Sequence, residues 1–216
     1  MAEPFAVIFD FDGVIVDSET AEYKAHRQLF VTHGGDLTVA QWCDTIGICD
    51  DPRRWFDALC RLAPSLDFET YEREKRRLFR EVVKMQTLDG IDPLLAELDR
   101  AGVATAIASN ASRRWVAGAA REMGVHDRFA AIVTADDVEH PKPAPDVYLE
   151  AARRLGAPPE RSVAIEDSEN GIRAGKAAGM RVVAIPNPHF PPAEEALALA
   201  DVTLGSLAEL RPSTLA

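Results

Sequence analysis

From residue 88 onward the sequence repeats one pattern: a segment with helical apolar spacing, then a glycine, then a short apolar run of β-forming residues. Glycine directly after a helix is typical of the left-handed residue that closes it. Strands that alternate with helices in this way predict a parallel sheet with right-handed crossovers and helices on both faces. This alternation restricts the chain to the α/β class, with a doubly wound, Rossmann-like core.

Four helices and at least five strands are predicted for this core. The helices span residues 92–101, 112–123, 145–155 and 169–178, each followed by a glycine: Gly102, Gly124, Gly156 and Gly179. The strands span residues 5–9, 103–108, 131–134, 162–165 and 182–185. Asp92 before Pro93 predicts a helix start in which aspartate is the cap residue.

Between residues 17 and 86 the pattern changes to one helix after another with little strand signal. Helices are predicted over residues 18–30, 39–44, 52–62 and 68–84. We therefore predict an α/β catalytic core of residues 1–16 and 87–216, with an all-α cap domain of residues 17–86 inserted after the first strand. In the alternative, these helices pack on the core without covering a site.

The charge balance excludes some classes of partner. The chain has 24 Lys and Arg against 35 Asp and Glu, a formal net charge of -11. Because nucleic acids and anionic membranes are bound through clustered cations, we expect neither as a partner. We find no signal sequence and no stretch near the roughly 20 apolar residues of a membrane span. A cytoplasmic location is expected, with the three cysteines as reduced thiols.

Reactive polar side chains follow several of the predicted strands, and a lysine lies between two prolines. These residues are Asp10, Asp12, Ser109, Asn110, Lys142, Glu166 and Asp167. In a parallel sheet they converge on one edge. Two carboxylates about 4 Å apart repel by about 4 kcal/mol at an effective dielectric constant of about 20, so the acids need a cation. Oxygen ligands without His or Cys favour Mg²⁺ over zinc or copper.

The same residues resemble the motifs of a known family, the haloacid dehalogenase-like superfamily. Its four motifs match residues 10–14 (Asp-Phe-Asp-Gly-Val), Ser109-Asn110, Lys142, and residues 166–168 with Gly171. Order, spacing and strand context agree across essentially the whole core. The sequence is similar in particular to the β-phosphoglucomutase and phosphatase-like subfamily, whose members carry a helical cap. Gly13 either permits a tight turn after the strand or serves as a hinge for the insert.

The resemblance implies a role for each residue of the motifs. Asp10 would be the nucleophile that forms an aspartyl-phosphate, and its other oxygen would bind Mg²⁺. Asp12 would be the general acid and base, with its backbone carbonyl on the metal. These roles are chemically reasonable, because a carboxylate that approaches a phosphate dianion needs its repulsion cancelled by cations.

The remaining motif residues would hold the phosphate and the metal. By resemblance, Ser109 and the backbone of Asn110 bind phosphate oxygens, and Lys142 neutralises both the phosphate and the nucleophile. Asp167 would ligate Mg²⁺ directly, and Glu166 would act directly or through water. Relatives also indicate a cis peptide bond before Pro143.

The sequence of the predicted cap domain helps to distinguish a phosphatase from a mutase. A mutase must hold a bisphosphorylated intermediate, so its cap needs cations for the distal phosphate. Where β-phosphoglucomutases carry a histidine this chain has Glu22, and the expected cationic turn falls on residues 46–50, which contain acid and apolar groups. Arg53 and Arg54 follow and could substitute, so all three are candidate substrate-binding residues. The sequence predicts a Mg²⁺-dependent phosphatase for a small phosphorylated metabolite, with a β-phosphoglucomutase-type mutase as the alternative.

An alternative of another class is a receiver-type phosphoacceptor signalling domain. Such a domain also gathers acids, a Ser or Thr and a Lys at strand ends. It would be shorter, would lack the helical insert and would show an adjacent acidic pair rather than Asp10-x-Asp12. The sequence does not identify the substrate, and we expect a monomer or a weak homodimer.

Overall fold

The computed structural model describes residues 6–43, 53–210 and 215. The chain divides into two compact units. The α/β unit comprises Met1–Val16 and Met85–Ala216, and the helical unit comprises Asp17–Lys84. The second crossing thus falls two residues before the boundary drawn from the sequence.

Six parallel strands form one sheet in the order β3-β2-β1-β4-β5-β6. They are β1 (Ala6–Phe9), β2 (Ala104–Ala108), β3 (Ala131–Val133), β4 (Ser162–Glu166), β5 (Arg181–Ala184) and β6 (Val202–Thr203). This topology confirms the predicted doubly wound α/β fold. The sixth strand was not predicted, because two residues are too few to show a period of two.

Helices α1–α4 belong to the helical unit and α5–α9 to the α/β unit. They are α1 (Ser18–Thr32), α2 (Val39–Cys43), α3 (Arg54–Cys60), α4 (Phe68–Val82), α5 (Ile91–Arg100), α6 (Arg113–Glu122), α7 (Asp146–Leu155), α8 (Glu169–Ala177) and α9 (Glu194–Leu197). Short 3₁₀ turns span His126–Arg128, Ala135–Asp137, Pro159–Arg161 and Leu207–Glu209. The glycines expected to close α5–α8 all have positive φ, between 65° and 76°.

The start of α5 differs from the prediction. Asp92 is not the cap residue; the helix begins at Ile91, and Gly90 precedes it with φ of 100°. Pro93 lies in the first turn, where backbone N–H groups have no helical partner, so its missing donor does not move the start. The Asp92 carboxylate accepts a hydrogen bond from the Thr87 hydroxyl at 2.9 Å instead.

The central strand β1 is buried on both of its faces. Val7 and Phe9 point into a cluster of apolar residues shared with α5 and α6, while Ile8 points into a cluster shared with α7 and α8. Each large apolar side chain buried in this way contributes roughly 1.5–3 kcal/mol. The packing fixes β1 between β2 and β4, and so fixes the residue that follows Phe9.

One edge of the sheet is protected by paired side chains. The outward carbonyl of Ile132 on β3 accepts hydrogen bonds from Arg113 Nη2 at 3.2 Å and Arg154 Nη1 at 3.0 Å. Asp137 binds both guanidinium groups. Although partial burial acts in the opposite direction, these hydrogen bonds hold the pKa of Asp137 well below its usual value. The two arginines therefore stay in place along the edge.

The helical unit has an aromatic core. Trp42 and Trp55 stack with ring centroids 5.5 Å apart, and His26 lies 5.1 Å from Trp42. Asp17 caps α1 and Asp67 caps α4 through side-chain oxygens that accept backbone N–H groups. Across the described ranges 6–43 and 53–210, the helices lack the combination of length and apolar character needed to cross a bilayer.

Candidate active site

The order of the strands brings the predicted polar residues to one edge of the sheet. Because β1 lies between β2 and β4, the residues that follow these three strands are neighbours. Asp10 continues the pairing of β1, with its N–H donating to the Ile165 carbonyl at 2.9 Å. Ser109 follows β2, and Glu166 is the last residue of β4. The Asp10, Ser109 and Glu166 side chains are all buried.

The Lys142 side chain connects the carboxyl ends of three strands at this edge of the sheet. Its ammonium group donates to Asp10 Oδ1 at 2.6 Å, to Glu166 Oε1 at 2.7 Å and to the Ala108 carbonyl at 2.8 Å. An ammonium group has three N–H donors, so these three acceptors satisfy it completely. The side chain is almost wholly buried. Lys142 therefore holds one position, against the proposed nucleophile.

The loop that carries Lys142 is tied to the end of β2. The Asn110 side chain donates to the Lys142 carbonyl at 3.0 Å and accepts from the Lys142 N–H at 2.8 Å. The Lys142–Pro143 bond is cis, which confirms the expectation from relatives. Ser109 Oγ accepts from the Ala111 N–H at 3.0 Å. The Asn110 side chain thus positions the lysine loop, a contact that the sequence did not predict.

Both oxygens of the Glu166 carboxylate already accept hydrogen bonds from protein groups. Oε1 accepts from Lys142 and from the Tyr148 hydroxyl, at 2.7 and 2.6 Å. Oε2 accepts from the Ser168 hydroxyl at 3.1 Å and from the Asp167 N–H at 3.2 Å. The Ser168 N–H also approaches Oε2, at 3.4 Å. A carboxylate offers about four lone-pair positions, and these five donors fill them. Glu166 thus orients Lys142 and has little capacity left for a direct metal bond.

Charge is unbalanced in this cluster. Lys142 supplies one positive charge to two buried carboxylates, Asp10 and Glu166. Burial raises the pKa of Asp10 to about 7, against the opposing effect of the Lys142 ammonium. Burial also lowers the pKa of Lys142, but the two carboxylates outweigh this and hold it above its usual value. The lysine is a permanent cation, and a further positive charge would favour the ionised form of Asp10.

The residues present fit a divalent cation. Carboxylate oxygens of Asp10, Glu166 and Asp167 lie within 4.8 Å of one another. Gly13, with φ of 83°, leaves the space that the Asp167 carboxylate fills, and a Cβ at this position would overlap that carboxylate. Hard oxygen donors without nitrogen or sulfur suit Mg²⁺. The first role considered for Gly13, a tight turn, is consistent with this close approach.

The Asp12 carboxylate is not one of the three in that cluster, although its charge contributes to the raised pKa of Asp10. Its Oδ1 accepts a hydrogen bond from the indole Nε1 of Trp115 at 2.9 Å. Asp12 is half-buried. The side chains of Asp10 and Asp12, two residues apart, thus have different partners: a cation for the first and a neutral donor for the second.

The cap candidates lie in the helical unit. Glu22 is on α1, and its backbone carbonyl accepts from His26 Nδ1 at 2.9 Å. The Arg53 guanidinium lies over the Phe56 and Phe68 rings, at 5.1 and 4.8 Å from their centroids. Arg54 lies 5.8 Å from the Trp55 ring centroid. Residues 46–50, the expected cationic turn of a mutase, fall outside the described residues.

Two residues at this edge were missed by sequence reasoning. Tyr148 on α7 donates to Glu166, and burial together with Glu166 raises the pKa of its phenol well above the usual value, so it stays a donor. Trp115 on α6 donates to Asp12. In the sequence both look like ordinary core aromatics on amphipathic helices. The only sequence signal for a role in the site is that each lies within one or two helical turns of a motif residue.

Comparisons with known proteins identify relatives of this chain. The model of the haloacid dehalogenase-like hydrolase family matches residues 7–185. The chain is 34% identical over 190 residues to the fructose-1-phosphate phosphatase of Escherichia coli strain K12, covering 85% of this chain and 97% of that protein. It is 32% identical over 209 residues to hexitol phosphatase B of the same strain, covering 95% and 93%. A solved β-phosphoglucomutase from Clostridium difficile superimposes with a TM-score of 0.74 at 26% identity, covering 98% of this chain and 95% of that one.

Proposed function

The chain belongs to the haloacid dehalogenase-like hydrolase family, and from this we propose that it is a Mg²⁺-dependent phosphatase acting through an aspartyl-phosphate on Asp10. The observation that carries the proposal is the Lys142 ammonium, 2.6 Å from Asp10 Oδ1 and 2.7 Å from Glu166 Oε1. A buried cation held against a carboxylate suits a nucleophile that must approach an anionic phosphate. The receiver-type alternative does not account for membership of a hydrolase family.

The reaction divides into two displacements at phosphorus. An Asp10 oxygen attacks the phosphorus, the bond to the ester oxygen breaks, and Asp12 gives its proton to that oxygen, so that the alcohol leaves. A water molecule then attacks the aspartyl-phosphate, and Asp12 takes the proton from this water. Inorganic phosphate leaves, and Asp10 returns to the carboxylate. Each displacement is easier than the direct attack of water on the ester.

The other residues bind and neutralise the phosphate. Ser109 and the backbone of Asn110 hold phosphate oxygens, while Lys142 offsets the charge of the nucleophile and of the transferring group. Asp10, Asp167 and the Asp12 carbonyl would hold Mg²⁺, which would supply further charge neutralisation. Glu166 acts through Lys142 rather than as a direct ligand, because five hydrogen-bond donors surround its oxygens.

We propose a small phosphorylated sugar or sugar alcohol as the substrate class. The support comes from the relatives named for fructose 1-phosphate and hexitol phosphates. The helical unit, residues Asp17–Lys84, would contribute the contacts that choose among them. Glu22, Arg53 and Arg54 are the candidate residues for this choice, since an acid can accept from sugar hydroxyls and arginines can bind a phosphate.

The second candidate function is a β-phosphoglucomutase, favoured by the similarity to the solved mutase. A mutase keeps water away from the phosphorylated aspartate and returns the phosphoryl group to the sugar. Supplying β-glucose 1-phosphate with a trace of the 1,6-bisphosphate separates the two functions. Steady release of free phosphate without isomerisation supports a phosphatase, whereas rapid formation of glucose 6-phosphate with negligible phosphate supports the mutase.

The mechanism is tested with p-nitrophenyl phosphate and a panel of sugar phosphates, each with Mg²⁺ or with excess EDTA. We expect hydrolysis only with Mg²⁺, and none by Asp10→Asn, because an amide is a poor nucleophile and a weak metal ligand. Asp127→Asn is the matched control, since the Asp127 side chain is fully exposed in the 3₁₀ turn His126–Arg128. Full activity in EDTA, or in Asp10→Asn, would contradict the mechanism.

A further inference from the structure

We infer that Trp115 is a positioning residue for Asp12: its indole N–H holds Oδ1 and so sets the rotation of the Asp12 carboxyl group towards the leaving oxygen. The inference rests on the proposed function, in which Asp12 is the general acid and base. Trp115 lies outside the four motifs, yet its Nε1 is 2.9 Å from Asp12 Oδ1 across 103 residues of sequence.

The direction of this N–H is fixed at both ends of the tryptophan. Its backbone lies in the first turn of α6, where its N–H donates to Ser112 Oγ at 3.4 Å. Its ring meets the ring of Phe11 edge-on, with centroids 6.3 Å apart and an interplanar angle of 83°. Phe11 is itself fully buried. A donor anchored at backbone and ring sets the rotation of the carboxyl group that it contacts.

The chemistry of indole suits a group that must change protonation state. Its N–H is a donor only and neither releases nor accepts a proton in the working range of an enzyme. Oδ1 can accept this hydrogen bond both when Asp12 is ionised and when it is the neutral acid. The indole contact can therefore hold the orientation of the Asp12 carboxyl group through both displacements.

The contact also joins two parts of the site. Helix α6 starts directly after the loop with Ser109 and Asn110, which we propose to hold the phosphate. Asp12 belongs to the loop after β1. A hydrogen bond between this loop and the first turn of α6 thus sets the distance of the acid from the phosphate-binding loop, and misplacement of a reacting group by about 1 Å can cost on the order of a hundredfold in rate.

The test compares two leaving groups in the Trp115→Phe variant. Nitrophenolate leaves p-nitrophenyl phosphate without needing a proton, whereas the alkoxide of glycerol 3-phosphate must be protonated. We measure kcat/KM for both, because it reports only the steps up to release of the alcohol. We expect roughly a tenfold to hundredfold loss for glycerol 3-phosphate and a change below about threefold for p-nitrophenyl phosphate.

Ala117→Gly is the structural control. Ala117 lies in α6, and glycine there should lower the melting temperature, but the variant leaves Ser112, Phe11 and the indole in place, so the ratio of the two substrates should stay at the wild-type value. Trp115→Leu, which also lacks a donor, replaces Trp115→Phe if the phenylalanine variant melts below the assay temperature. A ratio within about twofold of wild type in the folded variant would overturn the inference.

The Asp12→Asn background shows whether Trp115 acts through Asp12. There we expect Trp115→Phe to cause no further loss with glycerol 3-phosphate, and an undiminished loss would contradict the inference. Failure of the proposed function looks different. In that case wild-type protein shows no Mg²⁺-dependent hydrolysis of either ester, or Asp12→Asn alone leaves the glycerol 3-phosphate rate unchanged.

Discussion

Glycines decide how closely the site carboxylates can approach the backbone. Gly171 lies in the first turn of α8, where an alanine would ordinarily be more favourable by roughly 0.5–1 kcal/mol. A Cβ there would overlap the Glu166 carboxylate. Glu166 cannot retreat without giving up its hydrogen bonds to Lys142 and Tyr148. Glycine at position 171 therefore makes α8 less stable than alanine would, but it leaves room for the buried Glu166 carboxylate.

We predict that Gly171→Ala lowers the free energy of unfolding by about 1–3 kcal/mol, the usual cost of inserting an atom into a packed site. It should also lower activity, because a displaced Glu166 moves Lys142. Gly118→Ala is the matched control. Gly118 is an exposed glycine in α6 with open space around its missing Cβ, so alanine should stabilise the protein by roughly 0.5–1 kcal/mol.

Urea unfolding of the two variants and of wild type measures these changes, with p-nitrophenyl phosphate hydrolysis as the second readout. A Gly171→Ala protein that is as stable and as active as Gly118→Ala would show that Glu166 has room to move.

Helix ends and short strands show what local sequence can predict. Ser112 was expected to begin a helix, and its side chain does cap α6. The same reasoning failed at Asp92, because α5 begins at Ile91 after Gly90 and the aspartate accepts a hydrogen bond from Thr87 instead. Strand β6 consists of two residues and exists through pairing with β5, so its sequence alone carries no signal. Sequence rules for helix ends succeed where a side chain hydrogen-bonds to the backbone close to it in sequence, as Ser112 does.

Helix α1 carries a buried histidine that should make the helical unit sensitive to acid. His26 donates from Nδ1 to the Glu22 carbonyl, and it packs against Trp42 and Tyr71. Burial lowers the pKa of His26 to about 4, although the hydrogen bond to Glu22 opposes the shift. Lys75 and Glu72 on α4 have smaller effects of opposite sign. The folded unit therefore holds His26 neutral.

Between pH 6.5 and about 4 the unfolded chain binds a proton at His26 that the folded chain does not, so stability falls as the pH decreases through this range. The free energy of unfolding falls by at most about 3 kcal/mol from this cause, since each tenfold change in proton affinity is about 1.4 kcal/mol. We predict that His26→Gln removes this part of the pH dependence. Denaturation followed by the fluorescence of Trp42 and Trp55 measures it.

His33→Gln, at the other end of α1, is the control for this experiment and should keep the wild-type slope. The same slope in His26→Gln as in wild type would show that other groups cause the acid sensitivity. Because all three proteins share the same carboxylates, their titration cancels in the comparison.

On the scale of the whole molecule, the chain passes between its two units at residues 16–17 and 84–85. On the α/β side the two passages are joined, since the Leu88 N–H donates to the Ile15 carbonyl at 2.9 Å. On the helical side Asp17 caps α1, with Oδ1 accepting from the Thr20 N–H at 3.2 Å. The backbone between these anchors is the natural place for a change of direction.

We propose that the helical unit moves as one body when substrate binds, with hinges over residues 16–18 and 86–90. Hydrogen exchange should then change at both passages when Mg²⁺ and a sugar phosphate are added to Asp10→Asn protein, which binds but does not turn over. The interior of α1 and α4 should keep its protection. Identical exchange at both passages with and without ligand would argue against the movement.

The site could be predicted from the sequence only in part. Residues at the carboxyl ends of strands, such as Asp10 after β1 and Glu166 at the end of β4, are brought together by the sheet order, which the alternating pattern implies. Tyr148 and Trp115 reach the same edge from α7 and α6, and their direction depends on how these helices pack on the sheet. Helical periodicity shows that a residue faces inward, but it does not say which atom it will meet.

The arginine pair along β3 bears on how copies of this protein can associate. A sheet grows from one molecule to the next by adding a strand to unpaired carbonyls, and amyloid-like stacking begins in the same way. The Ile132 carbonyl is already bound by Arg113 and Arg154, which Asp137 holds in place. At the opposite edge β6 offers only two residues as a template. In the described part of the chain, both edges of the sheet are therefore poor templates for a strand from a second molecule.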